Sequence, residues 1–172
     1  YFNYHGIIKS IRSKKTKRRN IVYTVFIFFL PVLFLKCGNL LVSYANEVHY
    51  GIFTVNELRD SNFVKAMECL YAIKPEENIP CVDITREKLQ RVYEVSPTLS
   101  SIKESLETNM DRWDLFDCNP GDHEVENGWA MWAFRDAVQD AGYYKSATEA
   151  NNFYGKVAKE IHNALDKGMF EK

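Results

Sequence analysis

The sequence predicts an all-α protein in which one transmembrane helix precedes a small bundle of about five helices with a long acidic loop. Three observations support this prediction. A long apolar segment follows a strongly basic amino-terminal stretch, apolar residues recur at helical spacing through most of the remaining chain, and no segment has the pattern of a convincing strand. A chain of 172 residues is long enough for one such domain and its membrane anchor.

Charge is divided sharply along the chain. Residues 1–45 contain eight basic side chains and no acidic one, whereas residues 46–172 contain all 23 acidic residues and the other 14 basic ones. The second part therefore carries a formal charge of −9. Such asymmetry is typical of a membrane-binding or nucleic-acid-binding tail. The apolar segment beside the basic stretch favours the membrane, and we expect no nucleic-acid partner.

The predicted transmembrane helix covers residues 21–45. It begins with the apolar run IVYTVFIFFLPVLFL and, after the sequence KCGN, resumes as LLVSYA. These 25 residues span about 37 Å as a helix, enough to cross a hydrocarbon core of roughly 30 Å with tilt. Pro31 is tolerated in a membrane helix, and the long side chain of Lys36 can reach towards the headgroups. A cleaved signal peptide and a buried core helix are the alternatives.

The charges that flank this segment predict the orientation of the protein. Seven basic residues lie within about 12 residues of its amino end, while Glu47, Glu57 and Asp60 follow its other end. We therefore expect a protein of the cell membrane, with residues 1–20 as a basic cytoplasmic stub and 46–172 as an extracytoplasmic helical domain. The stub is also expected to contact anionic membrane lipid.

Capping motifs and prolines divide the domain into helices. Residues 54–57 match a capping box, which predicts a helix that runs to Lys74 and ends at the following proline. A second helix is predicted to begin near residues 83–85. The Ser-Pro pair at 96–97 predicts the start of a third, with serine as the cap and proline at the first helical position.

A long acidic loop separates the third helix from the fourth. Helical periodicity disappears between about 109 and 127, and this segment contains six acidic residues. Gly128 opens a fourth helix, which Gly142 is expected to end as a left-handed cap. A capping box at 146–149 starts the fifth helix. Its predicted buried stripe comprises Phe153, Tyr154, Val157, Ala158, Ile161 and Leu165.

The acidic loop is one candidate for a ligand site. Asp122, His123, Glu124 and Glu126 bring carboxylates and an imidazole together, a combination that suits a divalent cation. The calcium-binding loop pattern fails, because counting from Asp117 places Asp122 at the sixth position, where that pattern requires glycine. We therefore favour a solvated acidic loop and predict no metal site.

The fourth helix carries the predicted ligand-binding residues, Trp129, Trp132, Arg135 and Asp136. They recur at intervals of three or four and could bind a sugar or an anionic group by ring stacking and paired hydrogen bonds. In the alternative, structural interpretation the tryptophans belong to the core, while Arg135 and Asp136 pair with neighbouring helices or with solvent. No catalytic arrangement stands out, so catalytic residues are unknown and no cofactor is predicted.

Three of the four cysteines lie beyond the predicted membrane helix. An oxidising compartment would allow one disulfide, and we favour Cys69 with Cys81, because this bond would close the short loop KPEENIP. Closing such a loop stabilises the fold by roughly 3 kcal/mol in the chain-entropy model. A bond from Cys81 to Cys118 and three free thiols are the alternatives. No Cys-x-x-Cys pair occurs to support a zinc-ribbon or thioredoxin-type site.

Two segments resemble a known group of proteins. They are LYAIKPEENIPCVDITREKLQRVYEVSPTLSSIKESLE and GWAMWAFRDAVQDAGYYKSATEANNFYGKVAKEIHNALDKG, which together cover about half of the chain. Both are similar to the extracytoplasmic region of large, uncharacterised bacterial multi-span membrane proteins. The resemblance implies a domain that hangs from membrane helices, or lies between them, with other transmembrane helices or envelope proteins as partners. It implies no activity.

These observations favour a membrane-anchored extracytoplasmic helical module that binds a partner or a ligand. The alternative function is the accessory part of a membrane enzyme that acts on envelope sugars or lipids, with its chemistry in other membrane helices or at the Trp129–Asp136 face. A sensor would need cytoplasmic signalling sequence, and residues 1–20 show none. The sequence does not decide whether the protein is an enzyme.

Overall fold

A computed structural model of the protein describes residues 4–114, 123–126 and 128–171, with side chains of the first helix given for Asn20 and from position 22 onward. The described residues form eight α-helices and one 3₁₀ turn, and no strand occurs among them. This confirms the predicted all-α class. One long amino-terminal helix precedes seven shorter ones, most of which contribute to a single apolar core.

The first helix, α1, is longer than predicted. It runs without interruption from Tyr4 to Tyr50, with Pro31 inside it. Its Val22–Tyr50 segment of 29 residues is long and apolar enough to cross a membrane. The most apolar window of this segment is 0% buried, so the interpretation as a buried core helix is wrong.

The next two helices replace one predicted helix. α2 is the short segment Glu57–Asp60, and α3 is Asn62–Ala72. The chain breaks at Ser61, which has extended backbone and whose Oγ accepts a hydrogen bond from the amide of Phe63 at 3.0 Å. The cap predicted at Thr54 is wrong, because the Thr54 hydroxyl donates instead to the carbonyl of Asn56.

The middle of the chain follows its predicted caps but contains one more break. α4 is Arg86–Val95, and the hydroxyl of Thr85 accepts from its third residue. The helix predicted from the Ser-Pro pair is divided in two, as α5 at Pro97–Ser100 and α6 at Lys103–Trp113. α6 therefore extends into the segment that the sequence assigned to the acidic loop.

The last helices match the sequence most closely. α7 is Ala130–Asp140 and α8 is Ala147–Asp166, with the 3₁₀ turn Tyr143–Lys145 between them. Gly142 lies in the left-handed region with φ +85°, as a carboxy-terminal cap requires. The predicted stripe of α8 is confirmed, because all six of its residues are buried.

The core lies between two helix pairs, α3 with α8 and α6 with α7. Phe63, Phe134 and Tyr154 meet at its centre, where the ring centroids of Phe63 and Tyr154 are 4.9 Å apart. α3 approaches α8 closely at Gly155, where a Cβ atom would lie 2.7 Å from the side-chain nitrogen of Asn62. A larger residue at position 155 would therefore displace the Asn62 side chain, which donates to the carbonyl of Asn151 at 3.0 Å.

The joint between α1 and the bundle is short and hydrogen-bonded. The chain turns at Gly51, with φ +72°, and the side chain of Asn46 donates to the carbonyl of Thr54 at 2.7 Å. The hydroxyl of Thr148 at the start of α8 donates to the carbonyl of Tyr50 at 3.0 Å. These bonds tie the end of α1 directly to the bundle.

Candidate functional site

The predicted ligand-binding residues of α7 lie on two sides of the helix. The indole nitrogen of Trp113 donates to the carboxylate of Asp136 at 2.9 Å, and the ring of Trp113 stacks on that of Trp129 with centroids 5.3 Å apart. Both tryptophan rings are partly buried and pack against the core. Trp132 is half-buried but is not among the residues that pack against the core. Asp136 is thus held by a neighbouring helix.

Arg135 belongs to a separate polar cluster. Its Nε donates to the carboxylate of Glu57 at 2.8 Å, and its guanidinium lies 5.1 Å from the ring centre of Tyr144. The hydroxyl of Tyr144 donates to the same carboxylate at 2.6 Å and lies 2.9 Å from the hydroxyl of Tyr154. This cluster, Glu57–Arg135–Tyr144–Tyr154, fastens α2 to the rest of the bundle.

Burial controls the protonation of this cluster. It raises the pKa of Tyr144 and Tyr154, and the neighbouring Glu57 carboxylate raises both further. Burial alone would lower the pKa of Arg135, but the hydrogen bond to Glu57 and the nearby phenols raise it overall. The cluster therefore contains one ion pair and two neutral phenols at physiological pH.

Three of the four predicted residues contact other helices, and whether this face binds a ligand stays a prediction. Arg135 pairs with α2, Asp136 pairs with α6, and Trp129 packs against Trp113. The four residues do not converge on one opening. The sequence contains no signal for these partners, since Glu57 lies 78 positions before Arg135 and Trp113 lies 23 positions before Asp136.

The acidic segment is not simply solvated, which corrects the sequence interpretation. The side chains of Glu124 and Glu126 are 7% and 2% exposed. Both carboxylate oxygens of Glu124 accept from the amide of Arg86 at 3.0 Å, at the first turn of α4. A helix amino terminus leaves amide donors without partners, so a carboxylate there is stabilised by hydrogen bonding and by the helix dipole.

Arg86 holds the acidic segment and α6 against α4. Its guanidinium donates to Glu107 at 3.1 Å, to Asp111 at 2.7 Å and to the backbone carbonyl of His123 at 2.9 Å. No three His, Cys, Asp or Glu side chains come close enough to share a metal ion within the described ranges. Asp117 and Asp122, which belong to the predicted loop, lie outside them.

The cysteines favoured for a disulfide are free thiols in the structure. Neither Cys69 nor Cys81 is bonded, and the Cys69 sulfur lies 3.6 Å from the carbonyl of Ala158 on α8. Burial raises the pKa of the Cys69 thiol, which keeps it protonated. The alternative partner, Cys118, lies outside the described residues. A Cys69–Cys81 disulfide in an oxidising compartment stays a prediction.

A groove that the sequence did not reveal lies between α5, the 3₁₀ turn and α8. It encloses about 600 Å³, within the size range of small-molecule sites. The rings of Tyr143 and Phe153 form one wall, with centroids 4.4 Å apart. α5 forms another wall and is held in place by Glu160, whose carboxylate accepts from Ser96 and Thr98.

Besides the carboxylate of Glu149, the groove offers a ligand an amide, an ammonium group and a phenol. The side chains of Asn152 and Lys156 are exposed, and neither they nor the Tyr143 hydroxyl form a hydrogen bond or an ion pair with another described residue. An aromatic ring, an amide and an ammonium group can together bind a hydroxylated anion. Sequence reasoning missed the groove because its walls come from segments more than 40 positions apart, α5 at Pro97–Ser100 and the turn at Tyr143–Lys145.

Comparison with protein-family models, with curated proteins and with solved structures finds no match for the chain. The resemblance to bacterial multi-span membrane proteins therefore stays a prediction. What the protein can do must be argued from its own geometry, and the groove is the candidate site.

Proposed function

We propose that the protein is a membrane-anchored helical module that binds a ligand or a partner in the extracytoplasmic space. The observation that carries this proposal is the exposure of α1. Nearly all of its apolar side chains from position 22 onward are exposed, and Phe28 is 77% exposed. Burial of apolar area stabilises by about 25 cal/mol per Å², so lipid is the environment in which this helix is stable.

The charges on either side of α1 support the orientation. Basic residues dominate before the apolar segment, and the bundle behind it is acidic overall. Protease added to intact cells should digest the bundle and spare residues 1–20. Digestion of the stub alone would reverse the orientation, and recovery of the chain, still carrying α1, in the soluble fraction would contradict the membrane anchor.

The groove supports the binding part of the proposal. The groove presents the ammonium of Lys156, which has no partner among the described residues, beside an aromatic wall, and Glu149 is the one acidic residue that lines it. This favours a small ligand that carries a carboxylate or phosphate for Lys156 and hydroxyl groups that can donate to Glu149, or a partner that presents the same groups. The accessory-enzyme alternative would use the Trp129–Asp136 face, where Arg135 and Asp136 are already engaged. We therefore retain the binding module.

Binding is tested with glucuronate and glucose 6-phosphate as anionic probes and glucose as the uncharged control. With the full chain in nanodiscs, an anionic probe at about ten times its Kd should raise Tm by roughly 2–6 °C. Lys156→Gln should abolish the shift. Lys159→Gln is the matched control, because Lys159 is exposed on α8 but does not line the groove. Equal shifts in both variants would exclude the groove as the site.

A further inference from the structure

We propose that the segment from Tyr50 to Leu58, here called the return segment, inserts into the headgroup layer of the membrane and seats the bundle on the lipid surface. The inference rests on the proposed function, because it requires α1 to lie in the bilayer. It adds a second lipid contact that is made by the domain itself. The membrane would then fix the orientation of the bundle as well as its location.

Exposed apolar side chains in the domain are concentrated at its joint with α1. Among the described residues from position 46 onward, six large apolar side chains are exposed. Four of them fall between positions 48 and 58. They are Val48, Tyr50, Phe53 and Leu58, with exposures of 62%, 62%, 57% and 46%. Because this apolar patch continues directly from a proposed membrane helix, contact with the same lipid would stabilise it more than contact with water.

The path of the chain sets the depth of this patch. α1 ends at Tyr50, five residues beyond Ala45, where the apolar segment stops, which places it about 7.5 Å along the helix. The headgroup layer is roughly 5–7 Å thick, so Tyr50 lies at its outer edge and the residues that fold back from it lie within it. After the turn at Gly51 the chain comes back, because the side chain of Asn46 binds the carbonyls of Thr54 and Val55 at 2.7 and 3.3 Å.

This fold-back returns Phe53 towards the lipid. Thr54 lies level with Asn46, one position beyond the apolar segment, so its neighbour Phe53 lies between the depths of Asn46 and Tyr50. Aromatic side chains are favoured at this boundary, where an apolar ring meets a polar layer. The charge nearest in sequence, on Glu57, is paired with Arg135 and therefore does not oppose insertion.

Spin labels in the full chain test the depth of Phe53. Phe53→Cys and Met169→Cys are made in a chain whose four native cysteines are serine, labelled, and placed in nanodiscs of phosphatidylcholine and phosphatidylglycerol. Met169 is the matched control, since it is 57% exposed, like Phe53. We expect lipid-soluble oxygen to relax the label at 53 at least threefold more than at 169, and a water-soluble nickel chelate to do the reverse.

A third label separates this inference from the proposed function. Phe28→Cys reports on the middle of the apolar helix. A nickel-accessible label at position 28 would overturn the membrane anchor itself. An oxygen-accessible label at 28 with a nickel-accessible label at 53 would overturn only the inserted return segment. Because the serine substitutions could disturb folding, the unaltered chain is also footprinted with a lipid-dissolved diazirine, which should modify residues 50–58 and spare 168–171.

Discussion

α1 and α8 are the two longest helices, and they place their apolar side chains in opposite environments. α8 buries eight of its 20 residues, on one face. From position 22 onward α1 has apolar residues on all sides, and Ser43 is its one buried residue among those described. A helix with one apolar stripe packs against other helices, whereas one that is apolar all round needs lipid or a complete protein shell. The arrangement of apolar residues therefore suits α8 to packing inside the bundle and suits α1 to a membrane or another apolar partner.

The largest expected effect compares one phenylalanine from each region. Phe63→Ala should destabilise the bundle by about 3–5 kcal/mol, because the ring is 1% exposed and packs against Phe134 and Tyr154. Phe28→Ala should change bundle stability by less than about 0.5 kcal/mol. Urea unfolding followed by tryptophan fluorescence measures both, since all three tryptophans lie in the bundle. Similar losses in the two variants would show that α1 packs against the bundle after all.

Alkaline pH should unfold the bundle and leave α1 helical. Burial raises the pKa of Tyr93, Tyr144 and Tyr154 above the value near 10 that tyrosine has in an unfolded chain. Above pH 10 the unfolded state loses protons that the folded state keeps, so stability is lost as pH rises through the folded pKa. The loss is about 1.4 kcal/mol per pH unit for each group, or about 4 kcal/mol per pH unit for all three.

Lys88 makes the bundle more stable as the pH rises, over a lower pH range than the tyrosines. Its side chain is 1% exposed and donates to the carbonyl of Asp83 at 2.8 Å, and burial lowers its pKa. Between this lowered pKa and about 10.4, the value in an unfolded chain, the unfolded state binds a proton that the folded state has lost. Stability therefore rises with pH over this interval and stops rising above it. Urea unfolding at pH 9, 10 and 11 separates the two effects. Tyr93→Phe should reduce the loss between pH 10 and 11 by about a third, and an unchanged slope would exclude Tyr93 as a cause.

A smaller effect is expected where α8 holds α5. Glu160→Gln should cost about 1–2 kcal/mol, because the carboxylate accepts from the amide and hydroxyl of Thr98 and from the hydroxyl of Ser96. Glu94→Gln is the control, since Glu94 is exposed. Thermal unfolding measures both variants. An equal change in the two would mean that the general loss of charge, and not the cap, is responsible.

The smallest effect concerns the joint between the two regions. Gly51→Ala and Gly142→Ala should each cost about 1 kcal/mol, because both glycines have positive φ. At Gly51 the added Cβ would also lie 2.7 Å from the hydroxyl oxygen of Thr148, whereas at Gly142 it meets open space. Amide exchange at residues 51–55 should therefore accelerate only in Gly51→Ala. Equal acceleration in both variants would indicate that the Thr148 bond does not hold the joint.

Local signals predicted the helices well where no distant residue competed. Thr85, Ser96 and Ser146 cap their helices as expected, because a cap is a bond within one turn. The cap predicted at Thr54 does not form. Hydrogen bonds from Asn62 to Asn151, 89 positions away, fix the start of α3 near Ser61 instead. No pattern within one helical turn contains that information.

The candidate site was harder to predict, since it depends on helix packing. Arg135 and Asp136 lie on α7 as their spacing predicts, with Trp129 directly before the helix, but their partners come from α2 and α6. The groove exists because Glu160 holds α5 beside the start of α8. Both results follow from pairings between distant segments.

The pairing of α3 with α8 also has a consequence for biogenesis. Asn62 leaves the ribosome 89 residues before its partner Asn151. At roughly 5–20 residues per second, α3 waits about 4–18 s for the helix that covers its apolar face. The α6–α7 pair is complete in sequence before α8 begins, whereas the α3–α8 pair is not. The two halves of the core therefore become available in order, and the α3 half is the last to be covered.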